Sequence, residues 1–304
     1  MLSVIIPCCN ESAVLPQLFE RLQALAPSWG MDYEILLVDD GSTDRTWDLI
    51  RTYHRRDRRW KGLRLARNFG QQAAIGAGLH AARGRAVVLL DADLQDPPEL
   101  IADFLDHWRR GWQVVYGVRA ERPEGWWKQL GYRGFYWLLK RCSPTPIPLD
   151  AGDFCLMDRR VAAALRSCPE QRPFWRGLRA WVGFRQLGVP YARHSRQAGQ
   201  SQYTFRKLLR LAADGFDSMT TAAPTAALLL ALMAAVTLLS GWLVGGTAQS
   251  AALTIGAAVQ CLILALLVRQ QVRSLEELRR RPRWVVAGRI GLAAAPKRRH
   301  LQAA

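Results

Sequence analysis

About the first 117 residues alternate between short apolar runs typical of β-strands and stretches with helical spacing. The predicted strands are LSVIIPC, YEILLVDD, GLRLAR, AVVLLDAD and WQVVYGVR. The helical stretches between them are AVLPQLFERLQAL, STDRTWDLIRTYHR, GQQAAIGAGLHAAR and PPELIADFLDHWRRG. This alternation predicts an α/β fold with a doubly wound, mostly parallel sheet. In such sheets, ligands bind at the carboxyl ends of the strands.

Carboxylates follow two of these strands. Asp39 and Asp40 end the second strand, and Asp91 and Asp93 follow the fourth. Two carboxylates in a D-x-D arrangement repel each other and raise each other's pKa unless a cation lies between them. Oxygen ligands favour Mg²⁺ or Mn²⁺, which keep coordination positions for water and substrate phosphates. The pattern therefore predicts that Asp91 and Asp93, with Gln95, anchor a metal ion and a diphosphate.

Other acidic residues near the strand ends are given different interpretations. Asp96 and Glu99 are interpreted as a solvated turn, with Asp96 as the N-cap of the next helix. No G-x-G-x-x-G motif follows the first strand and no P-loop is present, which weakens a dinucleotide interpretation. Instead, the segment PCCNES offers Asn10 and Glu11 to the polar edge of a nucleotide.

Residues 218–268 contain no charged side chain. One membrane-spanning helix needs about 20 apolar residues, and this run is long enough for a hairpin of two transmembrane helices, joined at GGTAQS. Basic residues precede and follow the run, whereas its turn carries none, which predicts that both ends face the cytoplasm. A buried helical hairpin in a soluble core is the alternative, and the length of the uncharged run argues against it.

Two further stretches mix apolar and basic residues. Residues 124–141 and 202–217 are predicted to be amphipathic helices in the headgroup layer of a membrane, and ordinary helices packed on the sheet are the alternative. Residues 269–304 are predicted to be a basic juxtamembrane segment and tail. We thus expect a catalytic domain over residues 1–217, followed by the hairpin and the tail.

The chain has 42 Lys and Arg residues against 25 Asp and Glu residues, a net charge of +17. Such an excess favours a polyanionic partner, such as nucleic acid, an anionic membrane or a phosphorylated substrate. A solvated basic surface is the alternative. Because the basic residues cluster near the predicted membrane segments, a nucleic-acid partner is not expected.

The motifs VIIPCCNE, VDDGSTD, ARNFGQQAAIGAGLHAARG and DADLQDPPE resemble those of family 2 glycosyltransferases. More narrowly, the chain resembles polyprenyl-phosphate glycosyltransferases, such as dolichyl-phosphate mannose synthase and bactoprenol glucosyltransferases. The segments AGDFCLMDR and RQAGQSQY extend the resemblance. It implies a GT-A, Rossmann-like fold, a nucleotide-sugar donor, Mg²⁺ or Mn²⁺, and inverting transfer to a lipid phosphate.

The resemblance also implies roles for individual residues. Those expected to bind the nucleotide sugar are Pro7, Asn10, Glu11, Asp39, Asp40, Asp91, Gln95 and Ser201. Those expected to be catalytic are Asp93, Asp153 and Arg196, with the metal on Asp91 and Asp93. On the first amphipathic stretch, the residues expected to guide the acceptor phosphate are Lys128, Arg133 and Arg141.

The expected function is transfer of a sugar to polyprenyl (undecaprenyl) phosphate at the cytoplasmic face of the bacterial inner membrane, for modification of cell-envelope glycans. A UDP-sugar is the preferred donor, with a GDP-sugar as the alternative, and self-association through the membrane helices is compatible with this function. Two alternatives stay open. In the first, the protein is a family 2 transferase with a different acceptor, a glycolipid or a polysaccharide. In the second, the protein is a non-catalytic membrane scaffold with a retired transferase domain.

Overall fold

The computed structural model of the chain describes residues 1–119, 151–192 and 246–292, with isolated positions at 230, 234, 236, 237 and 239. The described residues belong to two compact units. One unit contains a single β-sheet and the helices on its faces, and the other contains a long helix. The two predicted amphipathic helices, at 124–141 and 202–217, lie outside the described residues.

Eight strands in the described residues form one sheet in the order β7-β5-β6-β4-β1-β2-β3-β8. Their bounds are Leu2–Cys8 (β1), Tyr33–Asp39 (β2), Trp60–Leu65 (β3), Ala86–Leu89 (β4), Val114–Arg119 (β5), Ala151–Asp158 (β6), Gln186–Tyr191 (β7) and Val286–Ile290 (β8). The helices are Leu15–Leu25 (α1), Thr46–Arg56 (α2), Gln71–Ala81 (α3), Leu100–Arg109 (α4), Arg159–Ser167 (α5), Trp175–Trp181 (α6) and Gly246–Arg279 (α7).

The alternating elements predicted at the start of the chain are confirmed, and β4, β1, β2 and β3 run parallel. The expectation of a mostly parallel sheet needs correction, because β6 runs antiparallel between β4 and β5. The sheet is therefore mixed, in the Rossmann-type, GT-A-like manner that the resemblance implies. An apolar run indicates a strand but does not specify its neighbour, so this insertion is not visible in the local pattern.

Helix α3 packs unusually close to the sheet. A Cβ atom added to Gly78 would lie 2.3 Å from Cγ2 of Ile5 on β1, so only glycine permits this approach. Ala74, Ile75, Ala77 and Leu79 of the same helix are buried. The small residues of α3 thus hold the helix against β1, and its first residue, Gln71, lies next to the carboxyl end of the parallel strands.

The tail predicted over residues 269–304 is partly a strand, which corrects that expectation. Val286–Ile290 forms β8, which pairs antiparallel with β3 at the edge of the sheet. Just before it, the Trp284 ring lies 5.2 Å from the His80 ring, and Arg283 donates a hydrogen bond to the carbonyl of Cys168. A sequence as short and small as VAGRI gives little strand signal by itself, and these contacts hold it in place.

Helix α7 is long and apolar. Its stretch Leu253–Arg279 has 27 residues and a mean hydropathy of 1.8, and only 6% of its most apolar window is buried. By length and composition it is the one helix in the described residues that meets the requirement for crossing a membrane. The first span of the predicted hairpin lies almost wholly outside the described residues, so the hairpin stays a prediction.

Candidate active site

The topology brings acidic residues together at one edge of the sheet. Leu89, the last residue of β4, pairs with Cys155 of β6. Because β6 runs antiparallel to β4, the beginning of β6 lies beside the end of β4. Asp153, near the start of β6, is therefore close to Asp91 and Asp93, which follow β4, and the structure brings together these three residues predicted from the sequence.

The carboxyl group of Asp91 lies among other carboxylates. Burial raises its pKa, and the charges of Asp96, Asp153 and Asp93 raise it further, to about 8. Oδ1 of Asp91 accepts a hydrogen bond of 2.8 Å from Nε2 of Gln71. In the absence of a cation, Asp91 is therefore protonated at neutral pH, as expected for acidic groups that are crowded together.

These side chains fit a divalent cation that a substrate phosphate also binds. Within the described residues, no three Asp, Glu, His or Cys side chains are placed to coordinate one ion. Mg²⁺, however, is commonly held by one or two carboxylates, with substrate phosphates and water completing the shell. Asp91 and Asp93 supply that number, and Asp93 is mostly buried, at 8% exposed, in the region around Asp91, Asp93 and Asp153, which is called the cleft. The backbone amide of Gln95 donates to Oδ1 of Asp93 at 3.2 Å and orients it.

Asp96 is not the solvated N-cap that its sequence context indicates. It is 1% exposed and accepts a hydrogen bond from the hydroxyl of Tyr191, at the end of β7. The N-cap position of α4 is Glu99, whose side chain makes no capping hydrogen bond and instead pairs with Arg21. Asp96 is therefore a buried member of the acidic group around Asp91.

Arg119, the last residue of β5, is a cation that interacts electrostatically with Asp91 and Asp96. Burial lowers the pKa of its guanidinium, but Asp96, Tyr191 and Asp91 outweigh that effect, so the pKa is raised. Arg119 in turn lowers the pKa of Asp91. A fixed positive charge thus lies within the acidic cluster.

Asp153 has its own cationic partner. Nη2 of Arg176, on α6, lies 3.5 Å from Oδ1 of Asp153, and both side chains are mostly buried. The adjacent Arg179 is 3% exposed and donates to the carbonyl of Gly152 at 3.3 Å. Helix α6 therefore contacts the start of β6 through two arginine side chains.

The loop after β1 is fastened to the loop after β2. Asn10 has a positive φ of 57°, which Asn tolerates better than most residues. Its backbone amide donates to Oγ of Ser42, and its Oδ1 accepts from the backbone amide of Thr43, each at 2.9 Å. The amide of Glu11 donates to Oγ1 of Thr46 at 3.0 Å. The structure thus brings Asn10 and Glu11 next to the end of β2, as predicted.

Asp39 and Asp40 lie at the end of β2 and are both buried. Oδ1 of Asp39 accepts from the amide of Ser42 at 2.9 Å, and its Oδ2 lies 3.3 Å from Nε of Arg64. Pro7 lies on β1, opposite Val38 in the strand register and one step before the end of the strand.

Asp40 makes two contacts with the loop before α3. Its two carboxylate oxygens accept hydrogen bonds from the backbone amides of Phe69 and Gly70, at 2.7 and 2.8 Å. Burial raises the pKa of Asp40 above its ordinary value, and these two hydrogen bonds offset only part of that rise. Both oxygens are thus occupied by the chain itself, and they fix the position at which α3 begins.

Some predicted site residues lie outside the described residues. They are Lys128, Arg133, Arg141, Arg196 and Ser201. Conversely, four residues near these acids are not predicted from the sequence: Gln71, Arg119, Arg176 and Tyr191. Asp96 is predicted only as a solvated helix cap. A signal is available for two of the four, because Gln71 lies at the start of a predicted helix and Arg119 ends a predicted strand. Arg176 and Tyr191 come from distant parts of the chain.

The chain is similar in sequence to known glycosyltransferases. The sequence model of glycosyl transferase family 2 matches residues 3–166, more than half of the chain. The uncharacterized glycosyltransferase YkcC of Bacillus subtilis is 42% identical over 219 residues, covering 72% of this chain and 68% of that protein. The bactoprenol glucosyl transferase of Shigella phage SfV is 34% identical over 221 residues, covering 72% of each chain.

Among the solved structures that match the chain is glucosyl-3-phosphoglycerate synthase from Mycobacterium tuberculosis, in complex with Mn²⁺, UDP-glucose and phosphoglyceric acid. Its TM-score is 0.49 at 18% sequence identity, covering 70% of this chain and 76% of that chain. A likeness at this level is too low to indicate function.

Proposed function

The chain belongs to glycosyl transferase family 2, and we propose that it transfers a sugar from a nucleotide-sugar donor to a polyprenyl phosphate at the membrane. The carboxylate cluster around Asp91 is the observation that carries this proposal. Burial and three neighbouring carboxylates raise the pKa of Asp91 to about 8, so the site favours a cation. A nucleotide-sugar diphosphate is the natural co-ligand of such a cation.

The acceptor is proposed from the relatives and from α7. Several relatives at 33–34% identity are named bactoprenol glucosyl transferases, and each matches 72% of this chain. Helix α7 is apolar and exposed enough to lie in a bilayer, where the tail of a polyprenyl phosphate resides. The net charge of +17 suits a membrane surface that presents phosphate groups.

In the proposed reaction, an oxygen of the acceptor phosphate attacks the anomeric carbon of the sugar. The bond from that carbon to the donor diphosphate breaks as the new carbon–oxygen bond forms. The nucleoside diphosphate leaves with the bonding electrons, and the configuration at the carbon inverts. Asp91 and Asp93 would hold Mg²⁺ or Mn²⁺, which supplies positive charge to a leaving diphosphate.

Asp153 is proposed to position the acceptor rather than to act as an obligatory base. A phosphate monoester has a second pKa of about 6, so it is largely dianionic at neutral pH and has no proton to lose before attack. Arg176 pairs with the Asp153 carboxylate at 3.5 Å, so that carboxylate already has a partner within the chain. This differs from transfer to a sugar hydroxyl, which needs a general base.

The remaining roles are proposed in the same way. Pro7, Asn10, Glu11, Asp39 and Asp40 would form or support the nucleoside end of the donor site. UDP is the proposed nucleotide, from the similarity to bactoprenol enzymes. The catalytic domain would face the cytoplasm, and the lipid-linked sugar would serve the modification of cell-envelope glycans.

The test uses the purified full-length protein in detergent with undecaprenyl phosphate and either Mg²⁺ or Mn²⁺. UDP- and GDP-sugars are screened for release of the nucleoside diphosphate and for formation of a lipid-linked sugar. We expect metal-dependent formation of the product by the wild type and none by Asp93→Ala. The matched control is Asp103→Ala, because Asp103 is exposed on α4 and away from the cleft.

Each outcome distinguishes the alternatives. Release of nucleotide without a lipid product would show that the acceptor is wrong and would favour another glycolipid or a polysaccharide. Metal-dependent nucleotide binding without turnover on any donor would favour the scaffold. Equal product formation by the wild type and by Asp93→Ala would overturn the proposed role of the carboxylate cluster.

A further inference from the structure

Three side chains form a polar network beside the carboxylate cluster: Asp96, Tyr191 and Arg119. Asp96 and Tyr191 are 1% and 6% exposed, and the Tyr191 hydroxyl donates a hydrogen bond to Oδ1 of Asp96. Arg119 interacts with the Tyr191 hydroxyl and with the charge of Asp96. The network therefore connects the loop after β4 to the ends of β5 and β7.

The tyrosine ring is held independently of its hydroxyl. A Cβ added to Gly117 would lie 2.6 Å from Cε1 of Tyr191, so the ring crosses β5 where only glycine leaves room. The ring also meets Phe154 edge-on, with centroids 6.2 Å apart. Packing of the ring thus positions the Tyr191 hydroxyl next to Asp96. Removing the hydroxyl would leave the ring in place.

The guanidinium of Arg119 lies at the beginning of β6. A Cβ added to Gly152 would lie 3.4 Å from Nη2 of Arg119, and the next residue is Asp153. Among the described residues, Nε of Arg119 is buried and has no hydrogen-bond partner. A buried charge-bearing donor of this kind is costly unless it meets an acceptor. This donor is a second indication, independent of the network, that an anion binds here.

Stability alone does not account for the network. A buried ion pair contributes little net stability, because the cost of desolvating two charges offsets their attraction. A guanidinium fixed by a carboxylate and a phenol, however, offers a pre-oriented donor to a phosphate. Pre-orientation lowers the entropic cost of binding and is useful in a site that must recognise phosphate groups.

We propose that Asp96 and Tyr191 are positioning residues that hold the Arg119 guanidinium at the cleft, where it binds a phosphate group of a substrate. This inference rests on the proposed function, which supplies two phosphate-bearing substrates. The phosphate belongs either to the donor diphosphate or to the acceptor monoester. The two sources have the same chemistry, and separate measurements distinguish them.

The experiment compares the wild type with Tyr191→Phe, which removes only the hydroxyl. Affinity for UDP, or for GDP if the wild type prefers it, is measured by calorimetry with the full-length protein in detergent and Mg²⁺. The KM for undecaprenyl phosphate is measured separately. We expect one of the two constants to rise on the order of tenfold, the effect of losing one hydrogen bond that supports a charged group. The thermal midpoint should stay within about 3 °C of the wild type.

Tyr53→Phe is the matched control, because the Tyr53 hydroxyl is buried and has no hydrogen-bond partner among the described residues. It should change neither constant by more than about twofold. A second test uses Arg119→Gln, alone and combined with Tyr191→Phe. If the tyrosine acts through Arg119, the double variant is no weaker than Arg119→Gln alone.

Several results would overturn the proposal. The first is a Tyr191→Phe variant with unchanged nucleotide affinity and unchanged KM for undecaprenyl phosphate. The second is a double variant whose loss of affinity or rise in KM equals the sum of the effects of the two single variants. Asp96→Asn provides the same comparison if Tyr191→Phe does not fold. A wild type that binds neither nucleotide and forms no product would instead remove the proposed function, and this inference with it, so the two failures are distinguishable.

Discussion

Two groups of carboxylates lie at the same edge of the sheet and have opposite surroundings. At the end of β2, three of the four carboxylate oxygens of Asp39 and Asp40 accept hydrogen bonds from the amides of Ser42, Phe69 and Gly70, and the fourth, Oδ2 of Asp39, lies 3.3 Å from Nε of Arg64. After β4, Asp91 is buried among three other acids, and its pKa rises to about 8. Both groups are acids at strand ends, but in the second group the acids outnumber the cations, Arg119 and Arg176.

The difference separates a structural role from a binding role. Where the chain itself supplies donors to a buried carboxylate, the carboxylate organises loops. Where the chain places acids together, their repulsion is relieved only by a ligand that brings positive charge. An acid at a strand end is therefore not informative by itself, and the groups around it determine what it does.

The largest expected effect is on turnover. Asp93→Asn keeps the shape of the side chain but removes its charge, so the proposed metal–diphosphate site is lost. We expect the initial rate of nucleoside diphosphate release to fall by about 100-fold or more, the size of effect seen when charge stabilisation of a leaving group is removed. The thermal midpoint should be unchanged or higher, because one repulsive charge is gone. A rate within about threefold of the wild type would remove the distinction between the two groups.

Asp40→Ala is expected to act on folding instead. It leaves the amides of Phe69 and Gly70 without their acceptors, and each unsatisfied buried donor costs about 1–3 kcal/mol. The free energy of unfolding should therefore fall by about 2–4 kcal/mol in urea titrations of the detergent-solubilised protein. Asp48→Ala is the control, since Asp48 is exposed on α2 and should change stability by less than about 0.5 kcal/mol. Unchanged stability with lost activity would place Asp40 among the binding residues.

The pH dependence of stability should differ in the same way. Burial and three neighbouring carboxylates raise the pKa of Asp91 to about 8 in the fold, above its ordinary value of about 3.9 in the unfolded chain. Between those values the folded state binds more protons than the unfolded state, so stability falls as pH rises through this window. We expect the thermal midpoint in metal-free buffer to drop from pH 5 to pH 9 and the drop to be smaller in Asp91→Asn. Added Mg²⁺ should also reduce the drop in the thermal midpoint of the wild type. Identical pH slopes for the wild type and Asp91→Asn would contradict the raised pKa of Asp91.

Much of the fold follows from local sequence. The strands β1 to β5 are marked by short apolar runs, and most of the helices α1 to α4 by an apolar period, as in α1, where Leu15, Leu18, Phe19 and Leu22 are buried. The later strands are not marked in this way. β6 pairs with strands far earlier in the chain, and β7 contains Pro190, which strand patterns disfavour. Their positions depend on long-range pairing that a local pattern does not contain.

The same limit applies to the site. Asp91 and Asp93 are predictable, because two carboxylates in one short motif after an apolar run repel each other, and a bound cation relieves that repulsion. Asp96 is not, because its hydrogen-bond partner Tyr191 is 95 residues away. In isolation, an aspartate before two prolines has the pattern of a helix cap, and only tertiary contacts reveal that it is buried. The residues that were missed are those whose role is defined by partners from distant strands and helices.

The smallest expected effect concerns Asp153, which lies between the two kinds of surroundings because it has both acidic neighbours and Arg176. If Asp153 only positions the acceptor, Asp153→Asn preserves most contacts and lowers kcat by no more than about tenfold, less than the 10²–10⁴-fold that a general base contributes. Asp153→Ala should lose more, mainly through the KM for undecaprenyl phosphate. The measurement is a kcat and KM profile from pH 5.5 to 9 for both variants. A different result would show that Asp153 is the base: both variants abolish turnover while substrates still bind, and the pH profile loses its acidic limb. The Asp153 carboxylate would then belong with the reactive acids around Asp91 rather than with the structural acids at the end of β2.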